Sequence, residues 1–303
     1  MKNIYFTVGP SQLHNNIQRY TQDALDNDIF SVSHTGNFFT STYKELTSNL
    51  KTLLDIPSDY HVFFTGSSTE SMHVALASTV EHRSLHLITG GFSEKFHDAA
   101  TSLNKRTDRI VFPRHQESID IGTIDINDDV ELVCITENDT SIGMRTPLEN
   151  VKKLRKNNPS VLVAVDVVSS MPFTDLPYKD IDIAFFSVHK GFGLPAGLGV
   201  MIVNDRAIEK AATLKLKGLS IGGHHSLVSL AEKESALKTP ETPNVFAIHL
   251  LNKVTQDFLE RGIREIRKET NTKADLLYDF FENHAVLSHQ PPGHFLIASF
   301  GHF

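Results

Sequence analysis

The chain has 303 residues, 40% of them hydrophobic and 21% charged. That is enough for one large domain or two modest ones with a sizeable core, and it excludes a disordered or fibrous chain. Lysine and arginine total 29 against 36 aspartate and glutamate, a formal charge of −7, which speaks against a general nucleic-acid binder. The single cysteine, Cys134, excludes an intrachain disulfide and a cysteine-rich zinc module. No apolar run approaches the ~18 residues of a membrane span, and the opening Met1–Thr7 lacks a signal-peptide core. The expectation is a cytoplasmic protein with neither a membrane nor a nucleic-acid partner.

In chain order, seven short apolar runs bounded by turn residues have strand length. They are His61–Thr65, Leu85–Thr89, Arg109–Pro113, Glu131–Thr136, Val161–Asp166, Asp182–Ser187 and Gly199–Asn204. Val, Ile, Leu and Phe dominate them, which predicts strands buried on both faces. Helical spacing over Thr69–Val80 places Met72, Leu76 and Val80 on one face, and Glu94–Leu103 and Leu148–Asn157 are further predicted helices. This alternation predicts an α/β fold, a mostly parallel seven-stranded sheet with helices on both sides. Beyond Pro243, Val245–Glu260 carries Ile248, Leu251, Val254 and Phe258 at helical spacing, and Ala274–Asn283 is a second predicted helix. Pro291-Pro292-Gly293 ends it, and His294–Ser299 has the length of one strand. The expected division is an N-terminal segment over 1–15, a large α/β domain over 16–240 and a small C-terminal α/β portion over 241–303 that looks truncated.

The residues with chemical potential sit where predicted strands end. Val161–Val165 runs into Asp166, at the strand end where open α/β sheets bind ligands. The next strand is followed by Val188-His189-Lys190, so one acid and one amine converge at the same sheet edge. Desolvation lowers the pKa of such an amine and makes it nucleophilic, and a carboxylate beside a pyridine nitrogen keeps that nitrogen protonated. Together they are what pyridoxal phosphate requires. An Asp and a Lys after strands are equally ordinary loop residues, so spacing alone leaves the choice open. Thr65-Gly66-Ser67-Ser68-Thr69-Glu70 follows a strand and opens a helix; it suits a phosphate at the helix N-terminus and equally a structural capping box. Gly90-Gly91-Phe92 offers an aromatic ring after a turn, and Thr140-Ser141-Ile142-Gly143 offers hydroxyls that bind a cofactor oxygen or close a turn. Gly191–Gly197 resembles a dinucleotide loop, but a strand follows it where a helix is needed, and no Walker A pattern occurs.

With these elements in order, the chain resembles the class V, fold-type I pyridoxal-phosphate-dependent aminotransferases, and most of all the phosphoserine aminotransferase group. The match is carried by Ala164-Val165-Asp166-Val167-Val168-Ser169-Ser170, Ser187-Val188-His189-Lys190, Pro195-Ala196-Gly197-Leu198, Gly66-Ser67-Ser68-Thr69 and Val8-Gly9-Pro10. The resemblance implies that Lys190 carries the cofactor and Asp166 pairs with its ring nitrogen. It implies that Ser67 and Ser68 bind the phosphate, Phe92 stacks on the ring and Thr140 lies near the ring oxygen. His189 stands where the family has Gln. Glu241-Thr242-Pro243 is similar to an Asn-Thr-Pro motif that crosses a dimer to the partner's phosphate, which implies a homodimer in which Thr242 makes that reach. Glu241 replaces the Asn; its charge would repel a phosphate, so it is expected to point away. Within Ser33-His34-Thr35-Gly36-Asn37, Thr35 replaces a substrate-binding Arg and Asn37 a Lys. Four residues separate Lys190 from Pro195, one more than in typical phosphoserine aminotransferases and closer to alanine–glyoxylate and serine–pyruvate relatives.

The implied activity is ping-pong transamination between a small amino acid and a 2-keto acid, with pyridoxal 5′-phosphate as cofactor and no metal. The alternatives are, first, an alanine–glyoxylate or serine–pyruvate-type transaminase or a lyase on the same fold and, second, a cofactor-binding homologue without turnover. The second arises because none of Arg145, Arg261, Arg264 and Arg267 matches the family's carboxylate-binding arginine, the last three reading as a solvated helix face. A cysteine desulfurase is disfavoured because Cys134 falls inside a predicted buried strand. A metal hydrolase is disfavoured because the 16 histidines form no His-Glu-x-x-His, and His224-His225, as neighbours, are expected to point apart on a solvated loop.

Overall fold

The computed structural model describes residue 5 and residues 7–113 and 120–283. The seven apolar runs form one sheet because their residues alternate between two hydrophobic layers. On the strand Tyr60–Thr65 (β1), Val62 and Phe64 enter one layer and Phe63 the other. Leu162–Asp166 (β7) sends Val163 and Val165 one way and Leu162 and Ala164 the other, and Ile183–Ser187 (β8) divides Phe186 from Phe185 in the same manner. The remaining sheet strands are Arg83–Ile88 (β2), Arg106–Val111 (β3), Val130–Thr136 (β4) and Gly199–Asn204 (β9), while Asn138–Asp139 (β5) and Met144–Arg145 (β6) make a separate two-stranded hairpin. The order across the sheet is β1-β9-β8-β7-β4-β2-β3. Only β9 runs antiparallel to its neighbours, so six strands end at one edge.

Helices cover both faces. Ser68–Thr79 (α3), Gly91–Ser102 (α4), Asp205–Leu216 (α6) and Leu227–Glu234 (α7) lie on the Phe63/Phe185 side. Ile17–Asp26 (α1), Asn37–Leu53 (α2), Val151–Asn157 (α5) and Val245–Arg261 (α8) lie on the other. Ile248, Leu251, Val254 and Phe258 of α8 are buried in the same layer as Phe39, Tyr43, Leu46 and Leu50 of α2. Cys134 is buried within β4, as expected of a core thiol.

Several expectations are corrected. β3 begins three residues earlier than its apolar run and is not buried on both faces: it is an edge strand with Arg106, Arg109 and Val111 exposed. Among the described residues no α-helix joins β3 to β4, only a 3₁₀ turn over Ile121–Thr123. The second C-terminal helix is longer than predicted and spans Ile263–Glu282 (α9). On it, Arg267 is half-buried and lies 3.8 Å from Asp175 instead of facing solvent. The predicted break at Pro291 and strand at His294–Ser299 lie outside the described residues.

Candidate active site

The parallel strands deliver their C-terminal residues to one cavity of about 280 Å³. β7 ends in Asp166, which is buried and accepts a hydrogen bond of 2.9 Å from the Val168 N–H. Burial pushes its carboxyl up to about 7, against the smaller opposing effects of that bond and of Lys190. The adjacent β8 ends in Ser187, and the turn beyond it buries Lys190. Burial lowers the Lys190 pKa, with Asp166 partly opposing it. The Lys190 ammonium donates to the Val8 carbonyl at 2.7 Å and sits 5.7 Å from the Phe92 ring centroid. Gly9 makes this approach feasible. Its φ is +151°, and a Cβ there would lie 2.5 Å from Lys190 Cε. A physical reason thus attaches to the Gly-Pro pair at the start of the chain.

The turn after β1 opens α3. Ser67 caps the helix by accepting from the Glu70 N–H at 3.2 Å, so the structural capping role is present. Ser68 leans on β8: its N–H donates to Ser187 Oγ at 3.2 Å, and Ser187 Oγ donates to its hydroxyl at 2.7 Å. Gly199 of β9 packs so closely on this turn that a Cβ would lie 2.5 Å from Thr65 Oγ1. Phe92, on the first turn of α4, is held through its backbone. The buried Asp139 carboxylate accepts from the N–H groups of Phe92 (3.1 Å) and Ser93 (2.9 Å), an anion placed at a helix N-terminus.

Ser67, Ser68, Phe92, Thr140, Asp166, His189 and Lys190 all line this cavity. Thr242 does not: it is exposed and outside it. The cavity also takes in residues not anticipated from the sequence. Lys95 Nζ reaches Thr69 Oγ1 at 3.0 Å and brings a cation to the α3 N-terminus; its signal was its position three residues after Phe92, on the same helix face. Thr136 contributes a buried hydroxyl without a hydrogen-bond partner, and the Nδ1 of the anticipated His189 is likewise buried and unpartnered. Burial, with Lys190 next to it, lowers the His189 pKa. None of Arg145, Arg261, Arg264 and Arg267 lines the cavity, and Arg145 is committed to Glu137 at 2.7 Å.

These residues fit pyridoxal phosphate. A buried acid with one hydrogen bond suits a protonated ring nitrogen, and an aromatic face covers the cavity. The α3 N-terminus with Ser67, Ser68, Thr69 and Lys95 suits a phosphate. The acidic segment is also accounted for. Glu241 does not line the chain's own cavity; it bonds to Nε2 of His225, whose Nδ1 meets Glu70 at 2.5 Å. This corrects the solvated-loop expectation for His224-His225. The pair lies in a turn, not a helix or strand, so the rings sit 4.3 Å apart, and His225 is buried.

The model of the family described as aminotransferase class-V matches residues 7–291. A phosphoserine aminotransferase of Nocardioides sp. is 26% identical over 283 residues, covering 91% of this chain and 73% of that protein. The crystal structure of a phosphoserine aminotransferase from Cytophaga hutchinsonii superposes with a TM-score of 0.89 at 41% identity, covering 92% of this chain and 77% of that one. A phosphoserine aminotransferase from Trichomonas vaginalis, solved with pyridoxal phosphate bound, shares the fold (TM-score 0.73, 18% identity, 93% of this chain and 78% of that one).

Proposed function

The chain belongs to the class V aminotransferase family, and from that premise we propose that it is a pyridoxal-phosphate-dependent aminotransferase of the phosphoserine aminotransferase type. It moves an amino group between a small amino acid and a 2-keto acid. The observation that carries this reading is the convergence of a buried carboxyl and a desolvated amine, Asp166 and Lys190, in one cavity floored by a helix N-terminus.

When bound, the cofactor supplies a ring that accepts the electron pair left on an amino acid's Cα after proton loss. The chain's residues do the rest. Asp166 holds a proton at the ring nitrogen, which restores to its buried carboxylate the counter-charge that burial denies it. Lys190 Nζ, with its basicity lowered by burial, would take the Cα proton and pass it to the cofactor carbon that receives the amino group. Phe92 restricts the ring to one plane, and Thr140 donates toward its oxygen. Ser67 and Ser68 with the α3 N-terminus hold the phosphate, and His189 borders the ring. The site works as a homodimer in which Thr242 reaches the partner's phosphate; the exposure of Thr242 and its place outside its own cavity support this. Exposed Phe30, stacked on Phe246 at 4.3 Å, adds apolar surface beside that segment. The protein is cytoplasmic in this reading, and no helix among the described residues is long and apolar enough to cross a membrane.

Borohydride reduction tests the assignment of Lys190. The wild-type protein incubated with pyridoxal phosphate is expected to gain one covalently fixed cofactor at Lys190 by peptide mass. Lys190→Ala is expected to gain none and to lose turnover. Fixation at another lysine, or turnover in the variant, would overturn it.

A further inference from the structure

Outside the cavity, a buried side-chain cluster centres on His225. His225 is 8% exposed and lies between two carboxylates. Its Nδ1 meets Glu70 Oε1 at 2.5 Å, and its Nε2 meets Glu241 Oε2. Glu70 belongs to the first turn of α3. Its other oxygen accepts the Gly66 N–H at 2.7 Å, and its own N–H donates to Ser67. Its carboxylate is therefore built into the turn that presents Ser67, Ser68 and Thr69 to the cavity. A carboxylate in that place would repel an incoming phosphate dianion, and its partial burial weakens solvent screening.

We propose that His225 is a positioning residue for the phosphate end of the cofactor, placing its cationic imidazole between Glu70 and Glu241 so that the Glu70 carboxylate braces the turn without opposing the phosphate. With both ring nitrogens bonded to carboxylate oxygens, both must carry protons. The two carboxylates raise the His225 pKa to about 9 in spite of its burial, and His225 in turn holds Glu70 below the usual carboxylate range. His224, whose ring lies 4.3 Å away, also faces the cluster, and the charge of Glu241 acts on the buried Tyr43 hydroxyl. Glu241 gains a purpose. It keeps the imidazole protonated and fastens the segment that carries Thr242 to the chain's own phosphate turn. The inference rests on the cofactor assignment above.

The experiment compares the affinity of the cofactor-free protein for pyridoxal phosphate and for pyridoxal, which lacks the phosphate, by absorbance titration at neutral pH. His225→Leu leaves two unneutralised carboxylates. It is expected to weaken pyridoxal phosphate binding about tenfold, the effect of roughly one unit of pKa-equivalent interaction, with pyridoxal binding unchanged. Glu70→Gln, which keeps an acceptor for the Gly66 N–H but removes the charge, is expected to restore most of the loss when added to His225→Leu. Equal weakening toward both ligands, or no weakening, would overturn the role of His225, as would failure of Glu70→Gln to rescue. Should His225→Leu not fold, His225→Gln answers the same question by the same ratio, because it is neutral yet still hydrogen-bonds. A wild-type protein that binds neither ligand would instead overturn the cofactor assignment.

Discussion

Asp166 shows how a single buried residue ties stability to function. Its carboxyl, pushed up to about 7 from the usual carboxylate range, is protonated in the cofactor-free fold at pH values where the unfolded chain is already ionised. Between about pH 4 and 7 the folded state therefore holds more protons than the unfolded one, and stability falls as pH rises. The cofactor-free Asp166→Asn variant removes that dependence. At pH 7 it is expected to be more stable than the cofactor-free wild type by on the order of a few kcal/mol, while the variant reconstituted with pyridoxal phosphate loses most of its turnover. Thermal melting across this pH window checks it; a variant that melts lower than the wild type at pH 7 would contradict the account. Asp166 and Lys190 were legible in the sequence because one ends an apolar strand and the other stands three residues after the next. The Glu70–His225–Glu241 cluster was not. Its members are separated by 155 and 16 residues, and no local spacing announces a contact made by packing α3 against the turn before α7.

At the level of elements, the site depends on how helix N-termini are satisfied. α3 is capped by Ser67 and α4 by Asp139, from a different part of the chain. Asp139→Ala would leave the N–H groups of Phe92 and Ser93 without their acceptor and release the turn that holds the Phe92 ring. The expected loss is about 2 kcal/mol in urea unfolding, together with weaker cofactor binding. An unchanged unfolding midpoint would argue against Asp139 as the anchor. Most of the sheet could be read from apolar runs because six of its seven strands are buried on both faces. β3 was misplaced by three residues because its polar start, Arg106-Thr107-Asp108, does not register as an apolar run. α2 went unrecognised although Phe39, Tyr43, Leu46, Leu50 and Leu53 carry a helical period, since the strand–helix alternation used to find α3, α4 and α5 begins only at β1.

For the whole molecule, the distribution of charge matters more than its sum. A chain of net charge −7 must still bind an anionic cofactor. The proposed binding gathers an α-helix N-terminus, Lys95 and Lys190 around one cavity and covers Glu70 with His225. The exposed Thr242 predicts that the second half of this arrangement comes from a partner chain. Sedimentation is expected to show a dimer, and Thr242→Ala to weaken pyridoxal phosphate binding without dissociating it. A monomer with full cofactor affinity would contradict that part of the reading.

The central claim is that this cavity binds pyridoxal phosphate through Lys190 and passes amino groups through it. A visible absorbance spectrum of the reconstituted protein, taken before and after a panel of amino acids and then after a 2-keto acid, tests it most directly. The account predicts a cofactor band that bleaches with at least one amino acid, returns with the keto acid and is absent from Lys190→Ala. A band unaffected by every amino acid, or one that survives intact in Lys190→Ala, would contradict it.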